Sequence, residues 1–397
     1  MTKLSINKIS IFSLAEWLLI TFFIIFYFSD GIGKILFRTG ADFHRYSAII
    51  KGFFELLILL YSIATLNKPK LNTLIVVISL VSFFLIGQFF LYLKFTNLDF
   101  FENFNSLFKY LFPLILSMLI VDILNKGKSL GRFFKYYKKV LTLNSILIIG
   151  GFLFSIKVLQ TYPGIHRFGY DGLIFAQNEA SYIFIFAIAT VYYRRYYLHE
   201  KEIFFWIIII PSLIVATKAV YLFIVSLFLF HVVKKVSLKK VILFGGLFLL
   251  IGYFLFIKII NKIIINSYDV FIYMYNKGGL MNAVLSGRNS FVESKLQPLI
   301  FDYWSLPNFF LGGQDVKAHY IEMGLIDLFL FFGFFGFIIY LFMYYKLFSL
   351  IDFKKDFKIF FGLILLFIIA TSGHFFESGI AGVHFIMFII INRNQNK

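Results

Sequence analysis

The chain has no cysteine. Disulfide bonds, thiol nucleophiles and thiolate metal ligands are therefore excluded, although this absence leaves the redox compartment open. Other soluble-enzyme signatures are also missing. GIGK at 31–34 lacks P-loop spacing, HYIEM at 319–323 and HFFES at 374–378 are not the two-histidine zinc pattern, and no Asp-x-Asp pair is found. An enzyme that uses ATP or a nucleotide sugar has no support, and we expect neither a metal nor a cofactor.

Charge is scarce as well. Only 15% of residues are charged and 60% are hydrophobic, whereas soluble domains have about 25% charged and about 45–50% apolar residues. Apolar runs long enough to cross a bilayer recur, for example at 10–29 and 241–260. The sequence predicts an all-α polytopic integral membrane protein, with residues 1–397 as a single transmembrane domain. The first run leads into SDGIGK and not into a small-residue cleavage site, so we expect an uncleaved first span.

The net charge of +18 does not indicate nucleic-acid binding, because the cations lie in short loops between apolar spans. Seven such stretches hold 23 of the 38 Lys and Arg residues. The positive-inside rule assigns them to the cytoplasm and predicts about twelve spans with both termini cytoplasmic. These stretches are residues 1–9, 67–72, 125–139, 194–202, 233–240, 346–358 and 393–397.

Two outward turns and one long outward segment complete this topology. Residues 203–233 are too long for one span, so we predict two short helices that turn at Thr217 and Lys218. A second pair is expected to turn around SGHFFESG at 372–379. The long segment, 261–318, lies between the ninth and tenth predicted spans and is predicted to be periplasmic. Short interrupted helices are tolerated at membrane depth where they line protein or a water-filled cavity.

Several polar side chains are expected at the outward ends of the spans. The stretch RFGYDGLIFAQNEAS at 167–181 carries Arg167 and Asn178, Lys218 lies at the first outward turn, and Arg288 follows Gly287 in the long segment. The three cations are suited to an anionic ligand.

A possible base follows the long segment. In KAHYIEMGLIDLF at 317–329, helical spacing predicts that His319 and Glu322 share one face. Lysines near other span ends are interpreted as cations that reach lipid headgroups. These are Lys51, Lys109, Lys157 and Lys258.

Four of these stretches resemble the bacterial O-antigen polymerase and O-antigen ligase family. RFGYDGLIFAQNEAS resembles the family's Arg, Gly and Asn stretch before a span, and ATKAV at 216–220 resembles its Ser-Arg turn with Thr217 and Lys218 instead. SGR at 286–288 resembles the arginine of the large periplasmic loop. AHYIEMGLIDLFLFFGFFGF resembles the span that begins at a histidine, except that Tyr320 replaces the Asn that often follows it in ligases. This departure favours a polymerase.

The resemblance implies a glycosyltransferase that uses undecaprenyl-pyrophosphate-linked sugars at the periplasmic face of the inner membrane. Arg167, Lys218, Arg288 and Asn178 would then bind the pyrophosphate, and His319 or Glu322 would be the base. The expected function is a polymerase that joins lipid-linked repeat units into O-antigen or capsule-like polysaccharide. A chain-length regulator is a candidate protein partner of this polymerase. The alternatives are an O-antigen ligase that transfers glycan to the lipid A core and, in a different class, a lipid-linked oligosaccharide flippase.

Overall fold

A computed structural model describes residues 8–41, 46–124, 130–162, 168–201, 203–235 and 272–393. Within these ranges the regular secondary structure is helical, with one isolated antiparallel bridge between Gln160 and Tyr170. The predicted ninth span, 241–260, and the first residues of the long segment lie outside the described residues. The long helices of the first half are α1 (Lys8–Thr39), α2 (Tyr46–Ala64), α3 (Lys68–Tyr92), α4 (Phe100–Leu124), α5 (Leu130–Leu153), α6 (Gln177–Tyr196), α7 (Phe204–Val215) and α8 (Lys218–Lys235).

The second half begins with a series of short helices. Residues 272–285 form α9, and α10 (Arg288–Phe291) continues through two π-helical turns, Val292–Leu296 and Leu299–Tyr303. Two more short helices and three longer ones follow. They are α11 (Leu306–Leu311), α12 (Val316–His319), α13 (Gly324–Ser349), α14 (Lys355–Thr371) and α15 (Gly379–Ile391).

Among the described residues, five helices are long and apolar enough to cross a membrane: α1 (from Leu14), α2, α3, α4 and α13. The described part of the chain is therefore all-helical and suited to a bilayer, and the count of twelve spans stays a prediction. The two short helices expected in 203–233 are confirmed. Helix α7 ends at Val215, Ala216 has a left-handed φ of 57°, and α8 begins at Lys218.

Helices α4, α6 and α15 form the centre of the bundle. Every side chain of α15 from Ile380 to Ile391 is buried, and most of them are large and apolar. Helices α2 and α3 lie at the periphery, where Phe53, Ile78 and Phe89 are more than half exposed. Exposed apolar side chains on span-length helices are suited to contact with lipid.

The short helix α11 packs between α3 and α13. Helix α13 breaks at Gly333, whose backbone (φ 65°, ψ −173°) is accessible essentially only to glycine. A Cβ there would overlap the backbone of Gly312, and a Cβ on Gly87 would lie 2.7 Å from the carbonyl oxygen of Gly312. The buried Asn308 side chain donates to the carbonyls of Gly87 (3.0 Å) and Gly312 (2.7 Å). Gly333 is about 14 Å along α13 from its first residue, so part of the long segment folds into the bundle.

Helix α13 does not begin at His319, so the predicted shared face of His319 and Glu322 is wrong. Helix α12 ends at His319, Tyr320 is extended, Glu322 has a positive φ of 63°, and α13 begins at Gly324. The physical reason is the Asp327 carboxylate, which accepts hydrogen bonds from the backbone nitrogens of Ile321 (2.9 Å) and Met323 (2.8 Å). These bonds satisfy backbone donors that a continuous helix would use internally.

Candidate functional site

One end of the bundle contains a cavity of about 330 Å³, here called the polar cavity. It lies among the C-terminal half of α1, the first turns of α2, α4, α6 and α15, and the turns that precede α13 and α15. Buried charges at membrane depth are costly unless they are paired or functional, so this cavity is the strongest candidate site in the described chain. Its ionisable and polar lining includes Asp30, Lys51, Lys109, Glu179, Tyr320, His374 and Glu377.

Tyr320, His374 and Glu377 form a hydrogen-bonded cluster in the cavity wall. The Tyr320 hydroxyl donates to Glu377 Oε1, and it lies 3.1 Å from His374 Nδ1. His374 Nδ1 also lies 3.0 Å from Glu377 Oε1. Because the Tyr320 hydrogen points to Glu377, the hydrogen-bond network assigns the imidazole proton to Nδ1. The lone pair is then on Nε2, and Glu377 orients the ring as a carboxylate orients a catalytic histidine.

The electrostatics of this cluster keep His374 neutral and allow Glu377 to exchange a proton near neutral pH. Burial raises the pKa of Glu377 to about 7, with Lys109 acting in the opposite direction and Glu179 in the same one. Burial also lowers the pKa of His374 to about 4, assisted by the positive charges of Arg288 and Lys109. A carboxyl group with a pKa near the working pH is suited to general acid–base chemistry.

Arg288 lies beside this cluster, on the element contributed by the long segment. Its Nη2 is 3.3 Å from Glu322 Oε2, and its Nη1 donates to the Leu285 carbonyl (3.2 Å). The side chain is only 12% exposed, and its Nε has no hydrogen-bond partner among the described residues. Arg288 therefore has donor capacity left for a ligand in addition to its bond to Glu322.

Lys218 joins the turn between α7 and α8 to the segment just before Arg288. Its Nζ donates to the Ala283 carbonyl (2.6 Å) and to Ser286 Oγ (2.9 Å). Thr217 Oγ1 accepts from Ser181 Oγ (2.8 Å), which attaches the same turn to α6. The structure thus brings together two of the three predicted cations, with Lys218 holding the turn that carries Arg288.

The loop before α6 is held by a buried ion pair between Lys34 and Asp171. The Lys34 amine also donates to the Gly172 carbonyl (2.8 Å). Further along the loop, the Phe175 backbone donates to Asp30 Oδ2 (3.0 Å), which fixes one wall of the polar cavity. Burial raises the pKa of Asp171, whereas the neighbouring Lys34 acts to lower it.

Two further pyrophosphate ligands were predicted, Arg167 and Asn178. Arg167 lies outside the described residues. Asn178 is the second residue of α6 and is half-buried, next to the cavity-lining Glu179. Glu179 itself accepts a hydrogen bond from Ser378 Oγ (2.6 Å), which joins the start of α6 to the start of α15.

His319 does not line the polar cavity. Its ring is buried, with centroids 5.2 Å from Phe95 and 5.9 Å from Tyr303. Burial lowers its pKa. Its neighbour Tyr320 points into the cavity instead, because the chain is extended there. Glu322 contacts Arg288, so the two residues predicted as bases lie in separate environments.

Lys51 and Lys109 were interpreted as headgroup anchors, and for Lys51 this is wrong. Lys51 is buried, and its amine lies 5.8 Å from the Phe112 ring centroid. Lys109 is half-buried, and both lysines line the polar cavity. Sequence reasoning missed them because a lysine near a span end has the same local pattern whether it points to solvent or inward. Lys157 is exposed, and Lys258 lies outside the described residues.

His374 and Glu377 were expected at the last outward turn, but neither they nor Tyr320 were assigned a role in the predicted site. The outward turn SGHFFESG that carries His374 and Glu377 was a signal in the sequence, since two ionisable residues at a tight turn between apolar runs are unusual. Their contact with Tyr320 could not be predicted from the sequence, because Tyr320 is 54 residues away from His374 along the chain.

Comparison with known proteins adds no relative. No family model, no curated protein and no solved structure matches the chain.

Proposed function

We propose that this protein is a polymerase that joins undecaprenyl-pyrophosphate-linked oligosaccharide repeat units into O-antigen or capsule-like polysaccharide. It would act at the periplasmic face of a bacterial inner membrane, with about twelve spans and cytoplasmic termini. The observation that carries the proposal is the polar cavity, where cations and a proton-exchanging carboxyl group occur together at one end of a membrane-type helix bundle. The motif resemblance supplies the substrate class.

The reaction needs no redox step and no nucleotide, because a sugar bonded to a lipid pyrophosphate is already activated. The acceptor hydroxyl oxygen forms a bond to the anomeric carbon of the donor. The bond between that carbon and the pyrophosphate oxygen breaks, and its electron pair leaves with undecaprenyl pyrophosphate. The hydroxyl proton passes to a base in the cavity.

Arg288, Lys109 and Lys51 are our assignment for the pyrophosphate. Arg288 offers a planar guanidinium that can hold two oxygens, and the two lysines offer point charges. Fixed cations in a site that excludes water stabilise charge that develops on a leaving group. Lys218 positions Arg288 through its bonds to Ala283 and Ser286. Arg167 and Asn178 stay proposed ligands on the resemblance alone.

Glu377 is our assignment for the base, with His374 and Tyr320 as its hydrogen-bonding partners. This replaces His319, whose ring is packed against Phe95 and Tyr303. Glu322 is then not the base. We interpret it as the resting partner of Arg288, which pairs with the guanidinium when no substrate is bound. A substrate pyrophosphate would compete with Glu322 for the guanidinium.

The test is incubation of the purified protein with lipid-linked repeat units, followed by electrophoresis of the products. A ladder of longer lipid-linked glycans is the expected result. Transfer to an added lipid A core would indicate a ligase instead. Neither product, from protein that is folded and correctly inserted, would reject glycosyl transfer.

A further inference from the structure

A second groove lies at the opposite end of the helix bundle from the polar cavity. It has a volume of about 540 Å³ and lies between the first turn of α3 and the last turns of α4 and α13. On α4, the cavity residue Lys109 and the groove residue Leu124 are about 22 Å apart along the helix axis. The cavity and the groove are therefore separate sites on the bundle.

Three cations from three separate elements meet at this groove. Lys68 comes from α3, Lys346 from α13 and Arg393 from the residues after α15, and no acidic side chain is part of the lining. Lys68 and Arg393 have no side-chain hydrogen bond or ion pair with any part of the chain that the structure describes, and Lys346 lies 4.5 Å from the Phe342 ring centroid. These cations are therefore available to an external anion.

A buried acid at this end of the bundle, Asp122, already has its own cation. Asp122, near the end of α4, is bound by Lys70 Nζ (2.5 Å) and by the Tyr61 hydroxyl (2.9 Å). It does not line the groove. Among the residues that the structure describes, Lys68, Lys346 and Arg393 form no ion pair with a carboxylate.

The rest of the groove is apolar. Its walls include Ile120 and Val121 of α4 and Met343 and Leu347 of α13. The three helices that form it are all long and apolar enough to cross a membrane. Cations at the ends of spans, continuous with an apolar groove between them, match a ligand that has an anionic head and hydrocarbon chains.

We propose that this groove is a binding site for an anionic phospholipid of the adjacent leaflet. The lipid phosphate lies among Lys68, Lys346 and Arg393, and an acyl chain lies against α4 and α13. This inference does not depend on the proposed polymerase function, because it rests on a different cluster at the other end of the bundle.

A different groove, along α5, shows why cations from several elements are needed to bind a phosphate. A groove of about 520 Å³ along α5 is lined by Lys135, Lys138 and Lys139, all from one helix. Lys138 lies 5.4 Å from the Phe134 ring centroid, and Lys139 lies 5.7 Å from that of Tyr136. Cations on a single helix that stack on its own aromatic rings do not enclose a phosphate.

The test is native mass spectrometry of the full chain in detergent, titrated separately with phosphatidylglycerol, phosphatidylcholine and inorganic phosphate. We expect phosphatidylglycerol to bind with defined stoichiometry and to bind more tightly than phosphatidylcholine. The triple variant Lys68→Gln, Lys346→Gln, Arg393→Gln should bind phosphatidylglycerol on the order of 100-fold more weakly, because each cation near a lipid phosphate contributes a several-fold factor.

The matched control removes three cations elsewhere. Lys135→Gln, Lys201→Gln and Lys355→Gln change side chains that are exposed and lie outside this groove, and their combination should leave binding within about threefold. Charge-preserving Lys68→Arg with Lys346→Arg should also retain binding. If the triple variant does not accumulate, the single variants Lys68→Gln and Lys346→Gln carry the test, each with an expected loss of about fivefold.

Three results would overturn the proposal. Equal losses in the triple variant and its control would mean that only net charge matters. Equal binding of phosphatidylcholine would mean that the groove recognises acyl chains alone. Displacement of the lipid by inorganic phosphate at similar concentrations would make the groove a site for free phosphate.

Discussion

At the residue scale, the candidate site is built from turns held in unfavourable backbone conformations. Ser286, Glu322 and His374 have positive φ values of 57°, 63° and 71°, and each such residue typically costs about 1–3 kcal/mol. The turns of Glu322 and His374 are packed together, since a Cβ on Gly373 would lie 2.9 Å from Glu322 Cα. Tertiary packing therefore holds Arg288, Glu322 and the Tyr320 cluster in one arrangement at the end of the bundle.

Arg288 provides the first prediction. We expect Arg288→Ala and Arg288→Lys both to lower chain extension about 100- to 1,000-fold, because a preorganised donor to the leaving group is lost and lysine cannot hold two oxygens at once. The measurement is polymer formed by purified protein at matched concentration. Near-normal polymer from Arg288→Lys would mean that charge alone is sufficient, and the assigned contact of the guanidinium with two pyrophosphate oxygens would be wrong.

For Glu322 we predict tighter donor binding instead of a loss of activity. If Glu322 is only the resting partner of Arg288 (3.3 Å), Glu322→Gln should leave turnover unchanged and lower KM for the donor about two- to tenfold, because a competing carboxylate is removed. Steady-state kinetics with varied donor measure this. If turnover instead falls by about 100-fold or more, as the loss of a general base predicts, Glu322 returns to the role of base.

Glu377 provides the pH prediction. As a base it must be ionised, so kcat/KM should rise with pH through an apparent pKa of about 7 and level off above it. Glu377→Gln should lower activity about 100- to 10,000-fold and abolish this dependence. His374, whose pKa is about 4, stays neutral across the same range and should not contribute a second limb.

Protein stability gives a separate readout for Glu377. Its folded pKa lies above the ordinary value, so its contribution to stability is fully present below about pH 4.5 and is lost as the pH rises through about 7. Glu377→Gln should therefore raise the melting temperature at pH 8 relative to the parent protein, even though activity falls. A lower melting temperature together with lost activity would indicate a structural role.

At the element scale, helical pattern predicted some boundaries and missed others. The turn at Thr217 and Lys218 was predictable because residues 203–233 exceed one span and the basic loops must alternate. The break before α13 was not predictable, because KAHYIEMGLIDLF has helical spacing throughout. The competing interaction is the Asp327 carboxylate, which accepts from the backbone of Ile321 and Met323. The insertion of α11 between α3 and α13 has no local sequence signal other than glycine.

A substitution at Gly333 tests whether the insertion of α11 between α3 and α13 contributes to stability. Gly333→Ala should lower stability by about 2–5 kcal/mol, because alanine is disfavoured at this backbone conformation and its Cβ would overlap the backbone of Gly312. Gly150→Ala in α5 is the matched control, since nothing lies within 4 Å of its added Cβ, and a helical glycine gains about 0.5–1 kcal/mol on this change. Thermal unfolding in detergent measures both. Equal effects would mean that the close packing of α11 is not needed.

At the scale of the whole molecule, composition alone was sufficient for an all-helical membrane-type protein. It did not determine which cations point inward, because burial depends on how helices distant in the chain pack. Lys51 and Lys109 on α2 and α4 reach the cavity only when α1, α6 and α15 complete its walls. The same dependence on tertiary packing applies to the distant groove, whose three cations are spread from residue 68 to residue 393.

The orientation of the bundle is the last prediction. Charge bias assigns residues 201 and 355 to the cytoplasm and residues 97 and 288 to the opposite side. In the same sense, the polar cavity and the groove lined by Lys68, Lys346 and Arg393 lie at opposite ends of the bundle. Because the chain has no cysteine, single cysteines at these positions can be labelled with an impermeant maleimide without background. In intact cells with a permeabilised outer membrane, positions 97 and 288 should react, and positions 201 and 355 should react only after lysis. Position 288 is half-buried, so position 97 controls for slow labelling there. Labelling of 201 and 355 in intact cells would invert the topology and would move the polar cavity to the cytoplasmic face, where an undecaprenyl-linked polymerisation could not occur.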